Sequence, residues 1–115
     1  MAQMFYRKKL TAADVINKLA IAADCLDQFP RIPPGQHSRI FQVLDVECNC
    51  VWNFRLSVRM TGSYDKPTVG GQWIQFCKSR GIKKGHTIQF FKERDEATGN
   101  FRYMINLFYD FFNPE

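Results

Sequence analysis

Cys50-Val51-Trp52-Asn53-Phe54-Arg55-Leu56-Ser57-Val58-Arg59-Met60 is the stretch that decides the fold. Its even positions (Cys50, Trp52, Phe54, Leu56, Val58 and Met60) are apolar, while Asn53, Arg55, Ser57 and Arg59 between them are polar. Side chains of a strand point alternately to its two faces, so this period of two predicts a strand with one face on a core and the other in solvent. The last segment repeats the pattern: Phe101, Tyr103, Ile105, Leu107, Tyr109 and Phe111 alternate with Arg102, Asn106 and Asp110. A strand is also expected over residues 87–91, joined to the last one by the turn-forming run Asp95-Glu96-Ala97-Thr98-Gly99-Asn100. Shorter strand signals lie at 5–10, 18–22, 40–45 and 67–69.

Helical signals are brief. Thr11-Ala12-Ala13-Asp14 reads as an N-cap with an acid at the third helical position, a variant of the capping box, and Val15, Ile16 and Leu19 would form the buried face of that helix. A second helix is expected to begin near Gln72, to place Trp73, Phe76 and Cys77 on one stripe and to end at Gly81. A weaker helical turn covers residues 23–29, and Pro33-Pro34-Gly35 is an extended loop too short to be a linker. Many short strands with brief helices predict an all-β fold that is closed or nearly closed, which hides its strand edges.

With 115 residues the chain has room for one domain, here 1–115 with a core over about 5–111, and at 45% hydrophobic with eleven Phe it has the apolar content to fill that core. The net charge of +5 and a pI near 9.2 favour a polyanionic partner. No apolar run reaches the ~18 residues of a membrane helix, and Met1-Ala2-Gln3-Met4-Phe5-Tyr6-Arg7 lacks the hydrophobic stretch of a secretory signal. The expectation is therefore no membrane partner and reduced, small, buried thiols at Cys25, Cys48, Cys50 and Cys77.

Catalysis finds little support. His37 stands beside a Pro/Gly loop and His86 at the start of a strand, and neither has a nearby Ser, Cys or carboxylate in a nucleophile arrangement. Gly70-Gly71 lacks the Lys-Ser/Thr of a phosphate cradle, and its expected role is the positive φ that lets a strand turn into the second helix. Cys48-x-Cys50 lacks the second ligand pair of a structural zinc site. The sequence thus predicts no enzyme, no small-molecule substrate, no cofactor and no metal.

The cations cluster in three places: Arg7, Lys8, Lys9 and Lys18 around the first helix; Arg55, Arg59 and Lys66; and Lys78, Arg80, Lys83 and Lys84. The second cluster stands apart, because its arginines occupy the polar face of a strand that runs into the hydroxyls of Thr61, Ser63 and Tyr64. Arginine can bridge guanine O6 and N7 bidentately, and lysines and hydroxyls hold phosphates, so a strand and loop of this kind suits a major groove.

At this point the residues resemble those of plant B3 DNA-binding domains. Tyr6-x-Lys8-x-Leu10-Thr11-x-x-Asp14-Val15 is similar to the opening of that family, and Lys18-Leu19-Ala20-Ile21 to its second strand. Asp45 followed by Trp52-x-Phe54-Arg55 resembles its Asp…Trp-x-Phe-Arg signature, and Gly71-Gln72-Trp73-x-x-Phe76 its Gly-Trp-x-x-Phe. Ile82-x-x-Gly85-His86-x-Ile88-x-Phe90 resembles the Leu-x-x-Gly-Asp-x-Val-x-Phe run. The matches keep family order from Tyr6 to Tyr109, and the chain departs from the pattern at Ala13 for Ser, Ala22 for Pro, the inserted Gln72 and His86 for Asp.

The resemblance implies a seven-stranded open β-pseudobarrel with short helices, a nuclear module of plant transcription regulation that holds double-stranded DNA in the major groove with two arms. Carried onto matching positions, the first arm is Lys8, Thr11, Asn17 and Lys18. The second is Arg55, Ser57, Arg59, Thr61, Ser63, Tyr64 and Lys66. The alternative expectation is a barrel of this type serving protein–protein interaction with weak or no DNA binding, through the outer face of the last strand at Met104 and Phe108.

Overall fold

The computed structural model describes residues 1–61 and 64–108, with the backbone alone at 60, 61, 64 and 65. Among the described residues, seven strands build one sheet: β1 (Gln3–Lys9), β2 (Leu19–Ala20), β3 (Ser38–Asp45), β4 (Cys50–Thr61), β5 (Tyr64–Gly71), β6 (Thr87–Arg94) and β7 (Phe101–Phe108). They lie in the order β1-β6-β7-β3-β4-β5-β2, antiparallel throughout except for the β3–β7 pair. The sheet curls into an open half-barrel, and α1 (Ala12–Ile16), α2 (Trp73–Arg80) and a 3-10 helix (Ala23–Gln28) complete the fold.

The alternation in β4 places Phe54 and Leu56 at 0% exposure, with Arg55 and Arg59 exposed on the other face. Phe54 packs edge-to-face on Trp73 and Phe76, both at 5.8 Å between ring centroids, which seats α2 against β4. The hairpin feeds α2 through Gly71, whose φ is +69° and whose missing Cβ leaves room for the backbone of Asn53 and Arg55, each 2.9 Å from where a Cβ would stand. The helix stops at Gly81 in the left-handed conformation.

A bulge in β1 between Met4 and Tyr6 shifts the register against β6, so that Phe5 and Tyr6 both pack on the core. Beyond the bulge, Tyr6, Lys8 and Leu10 share the inward face. This is why Lys8, alone among the neighbouring cations Arg7 and Lys9, is half-buried.

The structure corrects several expectations. Ile16 is 68% exposed, because α1 ends at the cap residue Asn17 after little more than one turn, and the fully buried group of that turn is the carboxylate of Asp14. Cys48 and Cys50 are exposed, since they sit at the β3–β4 turn where the core no longer covers the sheet; Cys77 is buried and Cys25 half-buried. Phe101 is 45% exposed at the start of β7, where that strand has parted from β3. Tyr109 and Phe111 lie outside the described residues.

The two tryptophans are unequal. Trp73 is fully buried and its indole N–H donates to the Asp14 carbonyl at 2.8 Å, whereas Trp52 is half-buried on the outer side of Phe76. Trp73→Ala is expected to cost about 3–5 kcal/mol of stability, as buried aromatics do. Trp52→Ala should cost roughly 1–2 kcal/mol, in line with the smaller area it buries. Urea unfolding of the two variants checks this, and equal losses would contradict the placement of Trp52 at the edge of the core.

Candidate nucleic-acid interface

Residues directly opposite each other in an antiparallel sheet share a face, so the registers of β2, β5, β4 and β3 locate the polar side chains. Arg55 lies between Gly70 on β5 and Ile40 on β3. Ser57 lies between Thr68 and Ser38, and Arg59 stands opposite Lys66. Along β4 these residues follow at intervals of two, a spacing of about 6.8 Å, so Arg55 and Arg59 are separated by about 13 Å of backbone on one face.

Lys18 joins this surface from the other expected arm. Its side-chain carbons lie 3.5–3.6 Å from the position a Cβ would take on Gly70. The lysine stem lies along Gly70 on β5, and Gly70 is the register partner of Arg55. Arg55 itself reaches to β3, where its Nη1 donates to Ser38 Oγ at 3.0 Å. The outer face of β2–β5–β4–β3 thus collects Lys18, Arg55, Arg59 and Lys66 with the hydroxyls of Ser38, Ser57 and Thr68.

The remaining first-arm residues are placed differently. Thr11 is the N-cap of α1, its Oγ1 accepting from the Asp14 amide at 3.2 Å. Lys8 donates to Asp14 Oδ1 at 3.1 Å and to the Ala20 carbonyl at 2.7 Å, so its amine ties β1 to β2. Asn17 is exposed at the C-cap of α1. In the second arm Thr61 and Tyr64 are register partners closing the β4–β5 hairpin, their side chains and all of Ser63 lying outside the described residues. Ser38 and Thr68 were missed in the sequence. Thr68 carried one weak signal, a polar residue between Pro67 and Val69, whereas the contribution of Ser38 depends on the β3–β4 register, which no local pattern reveals.

Three cations outside this face are held by carboxylates: Lys8 by Asp14, Arg102 by Glu93 and Arg80 by two acids. Arg80 pairs with the buried Asp45 and, at 2.8 Å, with Glu47, contacts that raise its pKa further above its ordinary value. Cys48 Sγ donates to Asp45 Oδ2 at 3.2 Å, and the Cys77 thiol is pushed up to about 12 chiefly by burial, so neither has the lowered pKa of a reactive cysteine. Among the described residues no three His, Cys, Asp or Glu side chains come together in a way that would hold a metal ion.

No protein-family model and no curated protein sequence matches the chain. Solved structures do. The half-barrel is the fold of plant B3-type transcription-factor domains. The chain is similar to Arabidopsis FUS3 in its DNA complex, with a TM-score of 0.74 and 14% identity over 91% of this chain and 96% of that one. It is equally similar to the Arabidopsis thaliana transcription factor LEC2 in its DNA complex, with a TM-score of 0.74 and 15% identity over 91% of this chain and 94% of that one.

Burial raises the pKa of the Asp14 carboxyl, but hydrogen bonds from the Thr11 and Ala20 amides and from Lys8 outweigh it and hold the group below its ordinary value. A carboxyl depressed on folding contributes stability above its unfolded pKa of about 3.9, and that contribution is lost as pH falls through the folded value. Asp14→Asn should therefore cost about 2–3 kcal/mol at neutral pH, with the gap to wild type narrowing below about pH 4. Urea midpoints measured across that range check the prediction, and a pH-independent gap would contradict it.

Proposed function

We propose that this chain is a non-enzymatic duplex-DNA-binding module of plant transcription control, acting in the nucleus through the β4–β5 hairpin and the adjoining end of β2. The observation that carries the reading is the face on which Lys18, Arg55, Arg59 and Lys66 stand together with Ser38, Ser57 and Thr68. Both solved structures of this fold described above are DNA complexes. Arg55 and Arg59 are the groups suited to base edges, while Lys18, Lys66 and the hydroxyls suit phosphates. Asn17, Thr61, Ser63 and Tyr64 complete the proposed contact set at the two arms. Thr11 and Lys8 belong to it as well, with the difference that both are already engaged with Asp14 and act by shaping the first arm.

A barrel given over to protein contacts through its last strand is not favoured. The Arg7 guanidinium stands 3.8 Å from the centre of the Phe108 ring and shields one side of it, and Met104 is half-buried.

Contacts to about five phosphates should give a log–log slope of affinity against salt near −4 to −5, at about −0.9 per neutralised phosphate. Titration of one duplex at several salt concentrations measures it, and a slope near zero would sink the DNA reading.

Position separates this face from diffuse charge. Arg55→Ala or Arg59→Ala should cost about 1–3 kcal/mol of DNA affinity and relax preference at any base pair contacted. Lys83→Ala and Lys84→Ala should cost far less, because these lysines lead into β6, which β3 and β7 separate from β4. The measurement is a titration of each variant against one selected and one scrambled duplex. Equal losses at Arg59 and Lys83 would make the protein a diffuse electrostatic binder.

A further inference from the structure

Arg55 stands on the outer face of β4 with little to hold it. Its register partner on β5 is Gly70, which has no side chain, and its partner on β3 is Ile40, whose side chain has no polar atom to offer. Along Gly70 runs the stem of Lys18, a like charge. Among the described residues no carboxylate pairs with Arg55, and its one side-chain hydrogen bond runs from Nη1 to Ser38 Oγ at 3.0 Å.

The β3–β4 register places Ser38 for this contact. Ser38 is opposite Ser57, two residues along β4 from Arg55, and such diagonal neighbours on one face lie about 7–8 Å apart, within reach of an arginine. Val58 N donates to His37 O at 2.9 Å, so the pairing continues past Ser38 and fixes its backbone. Ser38 is half-buried at the end of the row Thr68–Ser57–Ser38, whereas Arg55 is exposed. The acceptor is thus set into the sheet and the guanidinium lies at the surface. An arginine carries five N–H donors and the serine oxygen takes one of them, on Nη1, so the Nε–Nη2 edge keeps its N–H groups for a pair of acceptors such as guanine O6 and N7. The acceptor is also neutral, so Arg55 keeps its full charge, unlike Arg80 with its two carboxylates. A side chain held in one orientation before binding has less freedom to lose on binding, and a bidentate contact depends on orientation.

We propose that Ser38 is a positioning residue for sequence readout, which holds the Arg55 guanidinium across β4 and β3 so that its remaining edge meets one base pair. The inference rests on the duplex-DNA reading above and adds to it a residue that acts through Arg55. Its effect falls on discrimination between duplexes, because the phosphate contacts assigned to Lys18 and Lys66 carry no sequence information and do not pass through Ser38.

The test compares Ser38→Thr with Ser38→Val, two β-branched side chains of one shape that differ in the hydroxyl. The probes are a duplex selected by the wild-type protein from a random pool and a scrambled duplex of the same composition. Ser38→Thr should keep the wild-type preference. Ser38→Val should bind the selected duplex about tenfold more weakly and change affinity for the scrambled one by less than about twofold. Ser38→Ala, which removes the hydroxyl without adding bulk, should match Ser38→Val. The base pair at which preference relaxes should be the one relaxed by Arg55→Ala and not one relaxed by Arg59→Ala. In an Arg55→Ala background Ser38→Val should have no further effect. Without DNA, the order parameter of the Arg55 Nε–H, from nitrogen relaxation, should fall in Ser38→Val and hold in Ser38→Thr. Like behaviour of the Thr and Val variants, equal losses on both duplexes, a loss that persists in the Arg55→Ala background, or a wild type that binds every duplex alike would each overturn the proposal and leave the DNA reading standing. Failure of the wild type to bind duplex DNA would overturn both.

Discussion

The carboxylate of Asp14 is the group on which the rest of the structure depends. The sheet has two free edges, β1 and β2, and a half-barrel is stable only if something ties them together across the opening. Asp14 accepts from the Thr11 amide on the β1 side, from the Ala20 amide of β2 and from Lys8 Nζ, which also donates to the Ala20 carbonyl. Its own carbonyl receives the Trp73 indole N–H, so the same residue fixes α2 against the seam. A buried carboxylate with one cation and two amides is well satisfied, whereas removing a partner would leave charge stranded at 1% exposure. The bulge in β1 is part of the device, since without that register shift Lys8 would face solvent.

Once the seam is closed, the polar outer face of β4 acquires neighbours that sequence distance conceals. Lys18 follows the short helix that Asp14 caps, and the β2–β5 pairing sets it beside Gly70. A bare Cβ at position 70 would sit in ordinary contact with the lysine stem, whereas a longer side chain would compete with it for the same space. Gly70 and Gly71 therefore have unlike tasks. The first clears a path for Lys18, and the second, at φ +69°, turns the chain into α2.

Much of the fold was legible because it rests on period-two alternation and local caps. The strands of 50–60 and 101–108, the capping box of Thr11 and Asp14 and the stop at Gly81 all follow from patterns shorter than a dozen residues. What the sequence hid depends on register. Ile16 has helical spacing but no second turn to carry it inward, and Cys50 and Phe101 keep the alternation of their strands at ends where the core stops. The site was legible as clusters of charge along the chain. Lys8 and Lys18, ten residues apart and alike in chemistry, were not separable until the bulge and the β2–β5 pairing assigned one inward and the other outward.

That separation bears on how a net charge of +5 is to be understood. Arg80 and Lys8 are bound to the buried carboxylates of Asp45 and Asp14, and the half-buried Lys92 is fastened to the 3-10 helix through the Gln28 carbonyl at 3.2 Å. These cations stabilise the barrel and offer little to a polyanion, because drawing Arg80 or Lys8 outward would uncover a buried carboxylate. Of the cations without such ties, Lys18, Arg55, Arg59 and Lys66 share one surface. On the outer face of β4 and β5 they stand among hydroxyls, which suits phosphates and base edges.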